Sequence, residues 1–151
     1  MAQSATVHAS AVLVGAHAVL IRGPSGSGKS QLARQLIEMR ASGLAFTRLV
    51  GDDRVHLEAA NGRLLVRPAE ALAGLLEIRG VGLIRLDHEP SAVVGLVVDL
   101  AAADAERLPE PERRRTEIDG IVLPRLAVAA GVAALPAVLG HLTSGRPLEQ
   151  L

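Results

Sequence analysis

The sequence predicts an α/β domain built on a central mixed sheet. Three stretches carry that expectation. Ala18-Val19-Leu20-Ile21 is an unbroken apolar run closed off by Gly23, as expected of a strand buried on both faces. Leu32, Ala33, Leu36 and Ile37 then repeat at helical spacing, with Gln31, Arg34, Gln35 and Glu38 largely on the other side. Further on, two strand-like runs at residues 55–58 and 63–67 flank Asn61-Gly62, a favoured two-residue hairpin turn.

The remaining elements follow in order. Residues 12–14 and 17–22 are expected as short strands joined at Gly15-Ala16. A helix starts at Lys29 and runs to about residue 41, where Gly43 supplies a C-terminal stop. Residues 46–50 form the next strand and end at Gly51-Asp52-Asp53. Pro68 opens a short helix through Leu76, since a proline in the first turn costs little. Residues 81–86 and 93–100 read as strands. Residues 104–119 are charged, contain Pro109 and Pro111, and are expected as one long loop. Residues 126–142 are expected as a helical region interrupted by Gly131 and Pro136. No internal repeat is visible.

Composition narrows the function classes. The 151 residues are about one domain's worth, and 49% of them are apolar, enough for a real core. Acidic and basic residues balance at 16 each, which gives no global electrostatic reason to expect nucleic acid. Phe46 is the only aromatic residue, so stacking platforms for single strands are missing too. There is no cysteine, which excludes disulfides and thiolate metal sites and fits a reducing compartment. Residues 1–6 show no signal peptide, and no apolar stretch reaches membrane-spanning length. The expectation is a soluble, cytoplasmic, single-domain protein spanning 1–151.

The chemistry starts at Gly23-Pro24-Ser25-Gly26-Ser27-Gly28-Lys29-Ser30, which matches the Walker A pattern without a mismatch. Its glycines let successive N–H groups turn toward one phosphate, beside the positive end of the following helix. Lys29 is placed to reach the β- and γ-phosphates of ATP or GTP, and the Ser30 hydroxyl to ligate Mg2+. Asp52 and Asp53 close a strand, where open α/β sheets place their ligands. One acid there can serve Mg2+ or its water, and the other can take a proton from an attacking hydroxyl. Glu77 and Arg79 lie among apolar residues, so they either pair with each other in the interior or face a cleft.

His8, the Gly23-to-Ser30 loop, Leu49-Val50-Gly51-Asp52-Asp53-Arg54-Val55 and Leu76-Glu77-Ile78-Arg79-Gly80-Val81-Gly82 occur in that order. The order resembles the catalytic domain of HPr kinase/phosphorylase over about residues 5–130, and the Glu-Ile-Arg-Gly-x-Gly segment is its most specific part. That family is similar in its nucleotide core to phosphoenolpyruvate carboxykinase. It phosphorylates a serine of HPr, the small phosphocarrier of the sugar phosphotransferase system. It also removes that phosphate with inorganic phosphate, releasing pyrophosphate.

The resemblance implies ATP and Mg2+ as cofactors, an HPr-type protein as partner, and a homo-oligomer. It makes Lys29 catalytic, gives the metal to Ser30 and Glu77, and makes Asp53 the base in phosphorylation and the acid in reverse, with Asp52 beside it. His8 would lie near the phosphates, and Arg79 and Arg107 would be catalytic arginines. Arg125 resembles part of a basic segment linked to dephosphorylation. Arg113-Arg114-Arg115 reads as a solvated charge run or a contact for an acidic partner. The chain is expected to be a truncated form comprising essentially the catalytic P-loop domain. The family's separate N-terminal domain and most of its helical C-terminal extension would be absent. Two other readings stay open: a small-molecule P-loop kinase, and a non-catalytic nucleotide sensor.

Overall fold

A computed structural model of the protein describes residues 5–42 and 46–143, so the expected stop at Gly43 lies outside the described residues. Two sheets share strands at their junction. The larger is mixed and runs β3 (Thr47–Gly51), β1 (Val7–Val14), β2 (His17–Arg22), β8 (Ala92–Leu100), β10 (Ile121–Val128), β9 (Arg115–Ile118). Within it β8 is parallel to both β2 and β10. The second sheet is antiparallel: the start of β1 pairs with β4 (Arg54–Ala60), then β5 (Arg63–Pro68), which returns to the start of β8. A separate hairpin pairs β6 (Leu75–Ile78) with β7 (Gly82–Arg85).

Side-chain alternation divides the core into two layers. Val19 and Ile21 of β2 face the helical side with Leu32, Ala33 and Leu36 of α1 (Lys29–Glu38) and Val138 of α2 (Leu135–Thr143). Ala18 and Leu20 face the opposite side, against Val50, Val55, Leu64 and Val66. All four β2 residues are buried, which accounts for the unbroken apolar run. Each leucine of the α1 stripe adds roughly 1.5–3 kcal/mol by its burial. No helix among the described residues is long and apolar enough to cross a membrane.

Four expected elements are corrected. β1 begins at Val7, five residues ahead of the expected strand at 12–14. Pro68 ends β5 and opens no helix through Leu76: only a short 3-10 turn, Glu70–Leu72, precedes β6. Residues 104–119 are no single loop, because they contain a 3-10 turn at Pro111–Arg114 and all of β9. The expected helical region at 126–142 starts as the end of β10, where Leu126 to Val128 pair with Val98 to Leu100. Only Leu135–Thr143 is helical, and Pro136 sits in its first turn, where a missing N–H breaks no bond.

Candidate functional site

The loop between β2 and α1 is shaped by close approach. A Cβ on Gly23 would meet Ser27 Oγ at 2.6 Å and the Leu100 carbonyl oxygen at 3.1 Å, so glycine alone fits there. Gly28 precedes α1 in the left-handed conformation, φ 101°, and no side chain caps the helix. The first-turn N–H groups therefore keep their capacity for an anion. Lys29 Nζ, largely buried, donates to the carbonyl oxygens of Gly23 at 2.7 Å and Pro24 at 3.0 Å. Burial pushes its pKa below the usual lysine range, against an opposing pull from Asp53 and Asp52. Negative charge arriving in the loop would offset that burial cost.

Opposite the loop, β3 ends in the turn that carries both aspartates. The Asp53 backbone is left-handed, φ 68°, which non-glycine residues adopt rarely and Asp and Asn most readily. Its carbonyl accepts from Ala9 N–H at 3.1 Å, so β1 grips the turn directly. Asp52, 4% exposed, accepts from Ser30 Oγ at 2.8 and 3.0 Å, from Ser10 Oγ at 2.6 Å and from Glu77 N–H at 3.2 Å. Asp53 points outward, more than half exposed, and its carboxylate lies 2.8 Å from His8 Nε2. The two neighbours thus occupy different environments: one carboxylate is enclosed by donors, the other is open to a reactant.

A cleft of about 830 Å³ joins these parts. Its lining includes His8, Gly26, Ser27, Gly28, Lys29, Ser30, Asp53, Glu77 and Arg79. Glu77 and Arg79 are exposed and face this cleft, which resolves the alternative left open by their apolar neighbours. Asp52 sits behind the lining, touching it through Ser30 and Glu77. Gly23 and Pro24 contribute carbonyls to Lys29, and Ser25 is exposed in the same loop. Arg107 is exposed in the segment between β8 and the Pro111–Arg114 turn and is not among the lining residues.

The donor set suits Mg2+ and a nucleoside triphosphate. Among the described residues, no cluster of three or more His, Asp or Glu could enclose a metal by itself. Mg2+ does not need one, since it is commonly held by one or two carboxylates together with substrate phosphates. Ser27 Oγ is buried with no hydrogen-bond partner inside the anion-ready loop, as a donor awaiting a phosphate oxygen would be.

The structure adds residues that the sequence did not single out. Ser10 reaches both aspartates of the turn. Gln31, Arg34 and the segment Gly131-Val132-Ala133 line the cleft. Below the loop, Asp99 joins two strands: it accepts from Arg22 Nε at 2.7 Å and Nη2 at 2.8 Å, and from Arg125 Nε at 2.6 Å. Arg125 in turn makes a bidentate pair with Asp104 at 2.8 and 2.9 Å. Arg125, which the resemblance links to a basic segment for dephosphorylation, is a structural hub in this fold.

Burial works to raise the Asp99 pKa, and hydrogen bonds from Arg22 and then Arg125 outweigh it, so the carboxyl lies below its usual range. Its stabilising effect is therefore present above the unfolded carboxylate pKa and lost as pH falls through the lower folded value. Asp99→Ala should lower stability by roughly 2–3 kcal/mol, somewhat less than for a fully buried pair. The Asp99 side chain retains 16% exposure. Denaturant unfolding at neutral pH checks this, and a midpoint equal to wild type would contradict it.

Comparison with known proteins bears on this arrangement. The family model "HPr Serine kinase C-terminal domain" matches residues 1–130. An HPr kinase/phosphorylase of Streptococcus thermophilus is 45% identical over 85 residues, covering 56% of this chain and 26% of that protein. One from Neisseria meningitidis is 33% identical over 133 residues, covering 82% of this chain and 38% of that protein. The chain thus spans between about a quarter and two fifths of the length of these curated relatives. The solved HPr(Ser) kinase/phosphatase of Coxiella burnetii superposes with a TM-score of 0.72 at 26% identity, covering 93% of this chain and 95% of that one. The mixed α/β fold is therefore that of the solved kinase/phosphatase, and the chain belongs to the HPr serine kinase C-terminal domain family.

Proposed function

We propose that the protein transfers the γ-phosphoryl group of ATP, with Mg2+, to a serine of an HPr-type phosphocarrier, and that it removes the group with inorganic phosphate. The observation that carries this reading is the meeting of Lys29, Ser30 and Asp53 in one cleft, with Asp52 hydrogen-bonded to Ser30 behind them. In this reading Gly23 to Ser30 is a P-loop in a core like that of phosphoenolpyruvate carboxykinase, and the cleft of about 830 Å³ has room for a nucleotide.

The roles follow from position. Backbone N–H groups of the loop and Ser27 Oγ bind phosphate oxygens, and Lys29 leaves its two carbonyl partners to neutralise charge on the β- and γ-phosphates. Ser30 and Glu77 would hold Mg2+, which would supply neutralising charge for the transferred group, while Asp52 orients Ser30. Asp53 takes the proton of the acceptor serine as its oxygen bonds to γ-phosphorus and the bond to the β-phosphate oxygen breaks, releasing ADP. In reverse Asp53 returns that proton to the serine oxygen, and a phosphate oxygen takes the phosphoryl group as pyrophosphate. His8 steadies the Asp53 carboxylate, and Arg79 supplies positive charge at the rim. Arg107 reaches the phosphates only if its segment moves inward, and the other roles stand without it. A cytoplasmic homo-oligomer is part of the same proposal.

Glu77→Gln should raise the Mg2+ concentration for half-maximal activity by about tenfold or more while sparing metal-free nucleotide binding, because a hard cation prefers a carboxylate oxygen. A Mg2+ titration checks it, and an unshifted midpoint would remove Glu77 from the metal site. The reading as a whole is tested by incubating the protein with γ-labelled ATP and either HPr or a panel of small metabolites. Label on HPr supports it. Label on a metabolite alone makes the protein a small-molecule kinase, and binding without transfer to any acceptor makes it a nucleotide sensor.

A further inference from the structure

Four consecutive residues of β1, Ala9 to Val12, are fully enclosed, and Ser10 is the only polar one among them. Burying a hydroxyl costs stability unless it is paired, and an apolar side chain of similar size would fill this site without that cost. What distinguishes Ser10 is the pair of groups it meets. Its hydroxyl donates to Asp52 Oδ1 at 2.6 Å and accepts from Asp53 N–H at 3.3 Å. A serine hydroxyl has one proton, so the proton goes to the carboxylate and a lone pair receives the amide.

The same oxygen thereby ties the enclosed aspartate to the backbone of the exposed one. That backbone is in the left-handed region, where its conformation needs external support. Asp52 is held from two directions, by Ser10 on β1 and by Ser30 and Glu77 N–H on the cleft side. Ser30 is the member whose oxygen a cation would recruit. A lone pair can meet the cation while its proton stays with Asp52, so Ser10 and the Glu77 amide, the other donors to Asp52, hold the carboxylate that orients it.

Resting on the proposed reading of the cleft, we infer that Ser10 is a positioning residue for the Asp52–Asp53 pair. It keeps the Asp52 carboxylate turned toward Ser30 and the Asp53 side chain directed at His8 and the cleft. Its action runs through these two residues and not through contact with a reactant.

The test uses Ser10→Ala, with Ser10→Cys as a nearly isosteric second variant and Ser10→Thr to restore the hydroxyl. A fluorescent ATP analogue reports binding with and without Mg2+, independently of turnover. Ser10→Ala should leave metal-free binding within about twofold and raise the Mg2+ midpoint about tenfold, the scale of one lost hydrogen bond to a charged group. Transfer at saturating Mg2+ and ATP should fall about tenfold with little change in the KM for ATP, and Ser10→Thr should recover most of both effects. If Ser10→Ala fails to fold, Ser10→Cys, a weak donor of matching size, carries the same expectations. A folded variant with the wild-type Mg2+ midpoint and transfer rate would overturn the inference and leave the cleft assignment standing. Wild-type protein that binds no Mg2+-nucleotide would overturn both.

Discussion

Lys29→Ala is expected to cut phosphoryl transfer by roughly 10²–10³-fold while leaving the fold intact. Lys29 is 6% exposed as a residue, its ammonium donates to two loop carbonyls, and its pKa is lowered chiefly by burial. A cation kept dry at such a cost lacks an evident structural reason, since its only hydrogen-bond partners among the described residues are the Gly23 and Pro24 carbonyls. In the proposed reading it serves the negative charge that builds up on the transferred group. Removing one preorganised contact of this kind costs about 3–4 kcal/mol in the transition state, or roughly 10²–10³-fold in rate. Nucleotide affinity should fall as well, while thermal stability should hold, because the variant no longer desolvates a charge. Wild-type turnover in a folded Lys29→Ala protein would end the phosphate-loop reading.

Asp53→Asn should separate binding from chemistry. The amide keeps the shape and can donate or accept toward His8, but it cannot take the proton of the acceptor. Asparagine also tolerates the left-handed φ of 68° at this turn, so backbone strain does not confuse the result as an alanine would. The side chain is 59% exposed, which puts the expected stability change within about 0.5 kcal/mol. Transfer should fall by roughly 10²–10⁴-fold with nucleotide binding preserved. Binding titration beside single-turnover kinetics checks both halves. Lost binding with retained transfer would reverse the roles given to the two aspartates.

Much of this was visible in the sequence because local chemistry and tertiary context agree there. The apolar run of β2, the glycines before Lys29, the stripe of α1 and the Asn61-Gly62 turn each specify their conformation with little outside help. Asn61 adopts the positive φ, 55°, that such a turn requires. The errors fall where pairing partners decide. Residues 7–11 alternate Val7, Ala9 and Ala11 with His8 and Ser10, but small alanines make a weak strand signal, and they become strand because β2, β3 and β4 all pair with β1. β9 looked like a loop because its arginine run hides an inward Thr116 and Ile118 alternating with exposed Arg115 and Glu117. Leu126 to Val128 lead into an alanine-rich stretch and are expected as helix, but pairing with the parallel strand β8 makes them the end of β10.

The site divides along the same line. The loop and the Asp-Asp turn are contiguous motifs and were legible. Ser10 and Asp99 act on residues 42 and 77 positions away, Asp52 and Arg22 respectively, and only the folded sheet brings those partners together. Glu77 and Arg79 stand out as charges among apolar residues and take their roles from the resemblance, and β6 with the turn after it delivers them to the cleft. Arg107 has the opposite history: the resemblance named it, and the described structure leaves it on an exposed segment.

The proposed activity is transfer to a serine on a protein, reversed by phosphate. A serine hydroxyl is a poor nucleophile, so it needs a base and in-line alignment, and in the proposed reading the exposed Asp53 carboxylate and the Gly23-to-Ser30 loop supply them. The decisive measurement is mass spectrometry of HPr after incubation with the protein, ATP and Mg2+, followed by excess inorganic phosphate. The account predicts one phosphoserine that forms with ATP and disappears with phosphate as pyrophosphate accumulates. Phosphate on a histidine, or HPr left unmodified while ATP is consumed, would contradict it.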